Sequence, residues 1–373
     1  DALPIYPDVN SYIGLPEKLK NVNNVFAKNI WSKGNTDVGF SESDIIVENT
    51  YTTPMVHQAY LEPHSCLVSV SDDGHVSIWA SNKAPFDLRR QIGEVLNLPE
   101  EIITINHAYI GGDFGGKGSP LNVPICYFLS LASKRPVKMI MDYMEEFVAG
   151  NPRHEMVASI KTGLKTDGTP VSHEAKLIFN SGAYGGFKPL VNLLGAQHAG
   201  GCYRIPNTHI EAIQVYTNRV PCGHMRGPGD PQAIFAIESH IDDIARKLAM
   251  DPLDFRLKHL IIDGDDNPIG SKYENIRGRE TLLAAAEKAK YYLPRDKHVG
   301  KGIAIADRPP GGGETHAKIT LDVDGTATLE TPIFDQGSGS YTFLQQIVSE
   351  ELCVPINDVR ITVGNTDSVP YDS

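Results

Sequence analysis

The sequence predicts an α+β fold of mixed sheets with packed helices, built from two related modules. Three observations carry that prediction. An alternating strand, an acidic-glycine turn and a second alternating strand recur in "CLVSVSDDGHVSIWAS", "ASIKTGLKTDGTPVSHEAKLIF" and "AKITLDVDGTATLETP". Period-2 alternation around Asp-Gly is a strong hairpin signal. After the first hairpin come a helix over 86–96, Pro99 and the strand "EEIITINHAYI"; after the third come a helix over 341–352, Pro355 and the strand "DVRITVGN". The same order occurring twice argues for an internal repeat over a uniform doubly wound sheet.

Taken in order, residues 1–34 open with three prolines and several asparagines in "DALPIYPDVNSYIGLPEKLKNVNN" and read as an extended linker. With no initial Met, the chain is expected to be cut from something longer. Residues 35–265 are expected to form a first domain, 266–294 a connecting loop and helix, and 295–373 the start of a second, incomplete domain. Inside the first, Ile234, Phe235, Ile237, Ile241, Ile244 and Leu248 trace one buried helical face. Asp251 followed by Pro252 predicts an N-cap and a second helix with Leu253, Phe255, Leu257 and Leu260 inward. The charged "HLIIDGDDNPIGSKYEN" stretch beyond it reads as a loop.

Composition removes several function classes. A formal net charge of −12 repels polyanions, and the densest basic pair is only Arg89-Arg90, so no nucleic-acid partner is expected. No signal peptide is evident, and the most apolar run, residues 123–132, is too short to span a bilayer; the expectation is a cytoplasmic chain without membrane contact. Cys66, Cys126, Cys202, Cys222 and Cys353 lie far apart with no C-x-x-C, which fits reduced thiols and excludes a self-contained zinc or iron–sulfur site. His57 and His64 flank a strand-like stretch where a metal ligand pair is conceivable; structural histidines are the favoured reading.

Glycine loops carry the chemistry. "GGDFGGKGSP" at 111–120 satisfies a phosphate-binding G-x-x-x-x-G-K-[ST] up to Lys117, but Gly118 replaces the hydroxyl that would hold Mg²⁺. With no partner acidic strand end in view, nucleotide hydrolysis is disfavoured. Ser119-Pro120 is the expected cap of a following helix. "RGPGDPQ" at 226–232 and "DQGSGS" at 335–340 also precede predicted helices. Free N–H groups and the helix dipole favour anions there. Three such loops suit one large, anionic ligand read by backbone, such as a phosphorylated pterin carrying an oxo-metal.

These loops, in this order, resemble the molybdopterin-binding subunit of the xanthine dehydrogenase and aldehyde oxidase family. "GGDFGGKG" is similar to G-G-x-F-G-G-K-E, "RGPGDPQAIFAIE" to R-[GA]-x-G-x-P-Q with its helix, and "DQGSGSYTFLQQIVSEELCVP" to the [DE]-x-G-Q-G loop and helix. "HQAYLEPHSCLVS", "CYRIPN" and "NTDSVPYDS" fit as flanks. The resemblance implies two α+β molybdenum-cofactor-binding domains, the second truncated. It implies oxidative hydroxylation of an aldehyde or N-heteroaromatic with water as oxygen source, electrons leaving to [2Fe–2S] and FAD units on partner subunits or domains, and a homo-oligomer. By the same resemblance Gly112, Phe114 and Gly115 match the loop over the metal, Arg226 an arginine beside the cofactor, and Gln336, Gly337, Ser338 and Gly339 the third loop.

The departures bear on substrate. Lys83 stands where the family often has a Gln bonded to the metal's oxo group, and Ser338 stands for the third loop's Gln. Gly118, Leu194 and Pro228 replace a Glu, an Arg and an aromatic of the purine pocket. A site lacking those polar partners rejects a purine, so a smaller or less polar substrate is expected. The family's general-base Glu lies in a G-E motif beyond Ser373; Glu314 in "PPGGGETH" precedes the third loop and is not that residue, so no catalytic residue is assigned and this piece alone is expected to be inactive. The alternative expectation is a scaffold homologue that has lost molybdenum binding, motivated by Lys83, Gly118 and Ser338.

Overall fold

The computed structural model describes residues 24–185, 194–308 and 312–372. Its strands are β1 (Val25–Lys33), β2 (Ile45–Thr53), β3 (Ser65–Val70), β4 (Val76–Ala80), β5 (Ile103–Asn106), β6 (Val137–Ile140), β7 (Glu155–Leu164), β8 (Pro170–Asn180), β9 (Asn207–Val215), β10 (Lys318–Leu321), β11 (Ala327–Thr331) and β12 (Val359–Val363). Its helices are α1 (Thr36–Ser41), α2 (Pro85–Leu96), α3 (Val123–Ser133), α4 (Tyr143–Ala149), α5 (Asp230–Lys247), α6 (Pro252–His259), α7 (Gly278–Lys288) and α8 (Ser340–Leu352). The described residues divide into two compact units. One joins the stretch up to Val56 to that from Arg153 to 308; the other joins His57–Pro152 to the stretch from 312.

The first unit is built on a five-stranded sheet in the order β1-β9-β8-β7-β2, antiparallel except for the β8/β9 pair. Residues 25–33, assigned by the sequence reading to a linker, are instead the edge strand β1, paired with β9. Lys28, Asn29 and Lys33 break the apolar alternation that would have marked them, as edge strands allow. Alternate residues of the central strands (Met156, Ala158 and Ile160; Leu177 and Phe179; Ile210 and Ala212) are fully buried against Ala233 and Ala236 of α5. Ile237, Ile241 and Ile244 of α5 are buried as predicted, but Phe235 is half-exposed. The alanines take its place, because small side chains let the helix lie close to the sheet. Asp251 caps α6 by accepting from the amides of Leu253 and Asp254.

The second unit holds both repeats. β3 and β4 are antiparallel and β4 and β5 parallel; β10 and β11 are antiparallel and β11 and β12 parallel. The predicted second-domain module therefore clusters with residues 57–152 and not with a separate C-terminal body. Both helices end on a left-handed residue, Asn97 and Cys353, before Pro99 and Pro355. Thr366 joins the modules at β5: its hydroxyl accepts from the Ile105 amide (3.0 Å) and its own amide donates to the Ile105 carbonyl (3.1 Å). Only the first module is widened, by β6 beside β3 and by α3 packed on them.

Candidate functional site

The first glycine loop is organised by one carboxylate. Asp113, buried, accepts from the amides of Gly115 and Lys117, each at 2.6 Å, and pairs with the Lys83 ammonium at 3.3 Å. Phe114 between them is held at φ 49°, left-handed for a bulky residue, and is two-fifths exposed. Such strain persists only where the surroundings enforce it. Three of the glycines have an internal reason. A Cβ on Gly111 would meet the Glu62 side chain at 2.6 Å, one on Gly112 Tyr60 at 3.1 Å, and one on Gly116 Gln58 and Tyr60 at 2.9 Å. Lys117 is not a phosphate ligand: it is wholly buried, 2.7 Å from Glu62 and 4.6 Å above the Tyr60 ring. Burial lowers its pKa, against the pull of Glu62. Nor does the loop abut a helix; α3 starts after Asn122, and neither Ser119 nor Pro120 caps it. Gly118 is buried, its carbonyl accepting from Gln91 at 3.4 Å.

The third loop, in the same unit, uses the same device. Asp335 accepts from the amides of Gly337 and Ser338 at 2.9 Å each. Gly337 (φ 99°) and Gly339 (φ 78°) are left-handed, and a Cβ on either would meet nothing within 4 Å. Gly339 is also the N-cap of α8. Gln336 Oε1 is shut off from solvent and, among the described residues, has no hydrogen-bond partner, a costly arrangement unless a ligand completes it. His107, at the end of β5, ties this loop to the approach of the first: Tyr341 takes the Asp335 amide on its hydroxyl (3.2 Å) and lies 3.5 Å from His107 Nε2, while Phe334 packs edge-on to that imidazole. Lys83 occupies the corresponding place in the first module. Asn82 accepts from the Ala84 amide (2.9 Å) as Asp335 does from Gly337, so Lys83 and Gln336 are the middle residues of matching turns.

The second loop lies in the first unit. Gly227 (φ 67°) and Gly229 (φ 84°) shape it, and Gly229 is the N-cap of α5. Arg153 donates to the carbonyls of Arg226 (2.7 Å) and Gly227 (3.2 Å) and to Gln232 (3.1 Å). Asp230 meets His198 at 2.8 Å and Arg308 at 3.2 Å. Leu194 is exposed; Gly195 beside it sits so close to the loop that a Cβ would meet the Pro228 carbonyl at 2.2 Å, which brings two of the expected pocket positions together. Arg226 is exposed.

The sequence reading passed over Asp113, Asp335, Arg153, His198 and Asp230. Both loop aspartates stood in a visible D-x-G, a local side-chain-to-backbone turn signal. Asp230 stood inside the second loop without such a signal, and Arg153 and His198 had none because topology alone brings them to it. His57 and His64 do converge, on the buried carboxylate of Glu146 at 3.6 and 2.9 Å, with Tyr60 donating to it at 2.7 Å. That is a structural cluster: among the described residues no group of three or more His, Cys, Asp or Glu is placed to hold a metal ion, and no helix is long and apolar enough to cross a membrane. Glu314 is exposed and 2.8 Å from His316; residues 309–311 of its glycine run lie outside the described residues.

Two family models, each described as a molybdopterin cofactor-binding domain, match this chain over residues 18–260 and 277–373. A protein of Bacillus subtilis (strain 168), a probable subunit of xanthine dehydrogenase, is 32% identical over 365 residues, 95% of this chain and 49% of that protein. A nicotinate dehydrogenase large molybdopterin subunit of Eubacterium barkeri is 34% identical over 266 residues, 71% of this chain and 62% of that protein. The aldehyde oxidoreductase structure from Desulfovibrio gigas matches 96% of this chain and 41% of its own with a TM-score of 0.81 at 27% identity. Quinoline 2-oxidoreductase from Pseudomonas putida 86 matches with a TM-score of 0.83 at 23% identity, over all of this chain and 51% of its own, a likeness of fold. The chain spans about half the length of the first curated relatives it matches.

Proposed function

We propose, because this chain belongs to the molybdopterin cofactor-binding domain family, that it is the cofactor-holding part of a molybdenum hydroxylase acting on an aldehyde or an N-heteroaromatic compound in the cytoplasm. The observation that carries this is the third loop: two left-handed glycines with open space over them beside a buried, unpaired Gln336 oxygen. A hydrogen-bond donor on a ligand would complete such a cradle. When bound, the molybdenum–pterin group supplies the two-electron oxidation, with water as the oxygen source. The chain's own residues hold and shield. Gln336 and the amide of Gly339 would meet polar edges of the cofactor, Ser338 would supply a hydroxyl, and Arg226, in the other unit, a charge for its anionic part. Phe114, strained outward between Gly112 and Gly115, would shield the bound group from water. Lys83, tethered to Asp113, would present its cation to the bound group from a fixed position. Gly118 in one unit, and Leu194 and Pro228 in the other, each offer no polar side chain to a substrate, which suits an aldehyde or a plain heteroaromatic over a purine.

Electrons leave to [2Fe–2S] and FAD units on partner subunits or domains, since the five scattered cysteines build no cluster; the assembly is proposed to be homo-oligomeric. The general base is assigned to no residue of this chain, and the piece alone is proposed to be inactive. One observation favours the scaffold reading: the first loop's bareness is accounted for by packing on Tyr60 and Glu62, and Lys83 is spent on Asp113. The test is molybdenum and pterin content of the full-length gene product from its native host. Stoichiometric metal and pterin support the enzyme reading; a folded, assembled protein with neither sinks it in favour of the scaffold.

A further inference from the structure

Loop 2 is gripped on both flanks within its own unit. Arg153 holds the carbonyls of Arg226 and Gly227. Opposite, the Asp230 carboxylate at the start of α5 takes His198 on one oxygen and Arg308 on the other. The His198 and Asp230 side chains are each 9% exposed, while Arg308 is half in solvent. His198 Nδ1 also lies 3.2 Å from the Gly195 carbonyl, and Gly195 is the residue wedged under Pro228. A pair this buried fixes a loop more firmly than a surface ion pair, because either partner left alone would be desolvated and uncompensated.

We propose that His198 is a positioning residue that, through Asp230, latches loop 2 and with it Arg226 in the shape that retains the cofactor. The part concerning retention rests on the functional reading above; the latch itself does not. The charged and titratable groups around His198 are Asp230 from α5, Asp307 and Arg308 from the segment before the glycine run, Cys202 bonded to Asp307 at 3.3 Å, and Tyr273. His173 of β8 reaches the neighbouring Ala199 carbonyl at 2.9 Å. Burial pushes the His198 pKa down, but the Asp230 hydrogen bond and the charges of Asp307 and Asp230 outweigh it and raise it above the ordinary value of 6.5. The stabilisation is therefore complete below the ordinary histidine range and is lost as pH rises through the raised value. Above it, a charge-assisted bond becomes a neutral one of roughly half the strength.

The deciding measurement is amide hydrogen exchange of residues 226–233 in the full-length holoenzyme from about pH 5.5 to about 8.5, corrected for intrinsic exchange. Protection of the wild-type loop should fall several-fold across that range, in step with the loss of the charge-assisted bond. His198→Asn keeps a neutral donor and should show no step, lying at the wild-type high-pH level throughout. Asp230→Asn should be less protected at every pH. Pterin retained after gel filtration should follow the wild-type step. A flat wild-type profile, which needs no variant, overturns the latch, as does an unchanged step in His198→Asn. A protein that never carries pterin overturns the cofactor reading, while the exchange step still decides the latch.

Discussion

The module β3–β4–α2–β5 and the module β10–β11–α8–β12 run through the same steps with different amounts of core. In the first, Val68, Ile78, Leu88, Ile92 and Ile103 are all at zero exposure in a cluster that also takes in Ile105, Cys126 and Phe334. In the second, Ala327, Leu329, Val348 and Val359 complete the buried set, and every residue of β10 is exposed. Hairpin, helix, left-handed cap, proline and parallel strand are thus specified by local chemistry, while burial is set by what else packs on the sheet. Equivalent substitutions should cost unequally where packing decides and equally where the turn decides.

The largest effect tests the packing side. Ile78 faces Ile105 across the β4/β5 pair as Leu329 faces Ile361 across β11/β12. Ile78→Ala should cost about 4 kcal/mol and Leu329→Ala about 2 kcal/mol, the high and low ends for large-to-small core changes. Urea unfolding followed by Trp79 fluorescence in a Trp31→Phe background reads this unit alone. Equal losses would mean the second module's core is as complete as the first's.

Next in size is Glu146, for which the second module has no counterpart. Burial by itself would raise its pKa, but hydrogen bonds from His64 and Tyr60 win and bring it down to about 2. A depressed carboxylate contributes stability above the ordinary range near 4.5 that is lost as pH falls through about 2. Glu146→Gln should lower stability at neutral pH by about 3 kcal/mol and remove that acid limb from the profile. A variant with the wild-type acid limb would assign the limb elsewhere. Nothing in "YMEEFVAG" marks the residue: Glu145, its neighbour, closes an ordinary capping box with Asp142, and a solvated pair is the natural reading. Only the fold brings His57 and His64 to it, as only the fold brings Arg153 and His198 to the second loop. Hairpins, the glycine loops and helix starts such as that at Asp251 were legible because each is settled within a few residues, whereas the expected cap at Ser119-Pro120 was not found. The edge strand β1, the outward turn of Phe235 and the ties that brace the loops were not, because each is settled by a partner far along the chain.

Between these limits stand the loop aspartates. Asp113 braces its loop in a buried setting and also holds Lys83, whereas Asp335 braces an open one. Asp113→Ala should cost about 2 kcal/mol, the penalty for buried amides and a cation left unpaired, and Asp335→Ala about 1 kcal/mol, with thermal unfolding as the measure. The loss of Asp335 should appear mainly as faster amide exchange at Gly337 and Ser338. If the order reverses, the third loop is buried by something the packing of this unit does not reveal.

The smallest effect sharpens the comparison most, because it predicts equality. In "SDDGH" and "DVDGT" the turns are bonded alike: Ser71 and Asp322 donate to His75 and Thr326, Gly74 and Gly325 donate back to Ser71 and Asp322, and an aspartate side chain accepts the last amide. Gly74 at φ 86° and Gly325 at φ 88° both have open space where a Cβ would go. Alanine at either should cost about 1 kcal/mol, the left-handed penalty and nothing more. The remaining hairpin supplies the contrast. Lys165, Gly168 and Asp167 repeat the pattern toward Thr169, but a Cβ on Gly168 would meet Leu248 at 2.9 Å. Gly168→Ala should therefore exceed the other two in hydrogen-exchange or urea measurements on each unit. Were Gly74→Ala and Gly325→Ala to differ by as much as Ile78→Ala and Leu329→Ala do, the repeat would be a likeness of order only, with even its turns held by different forces.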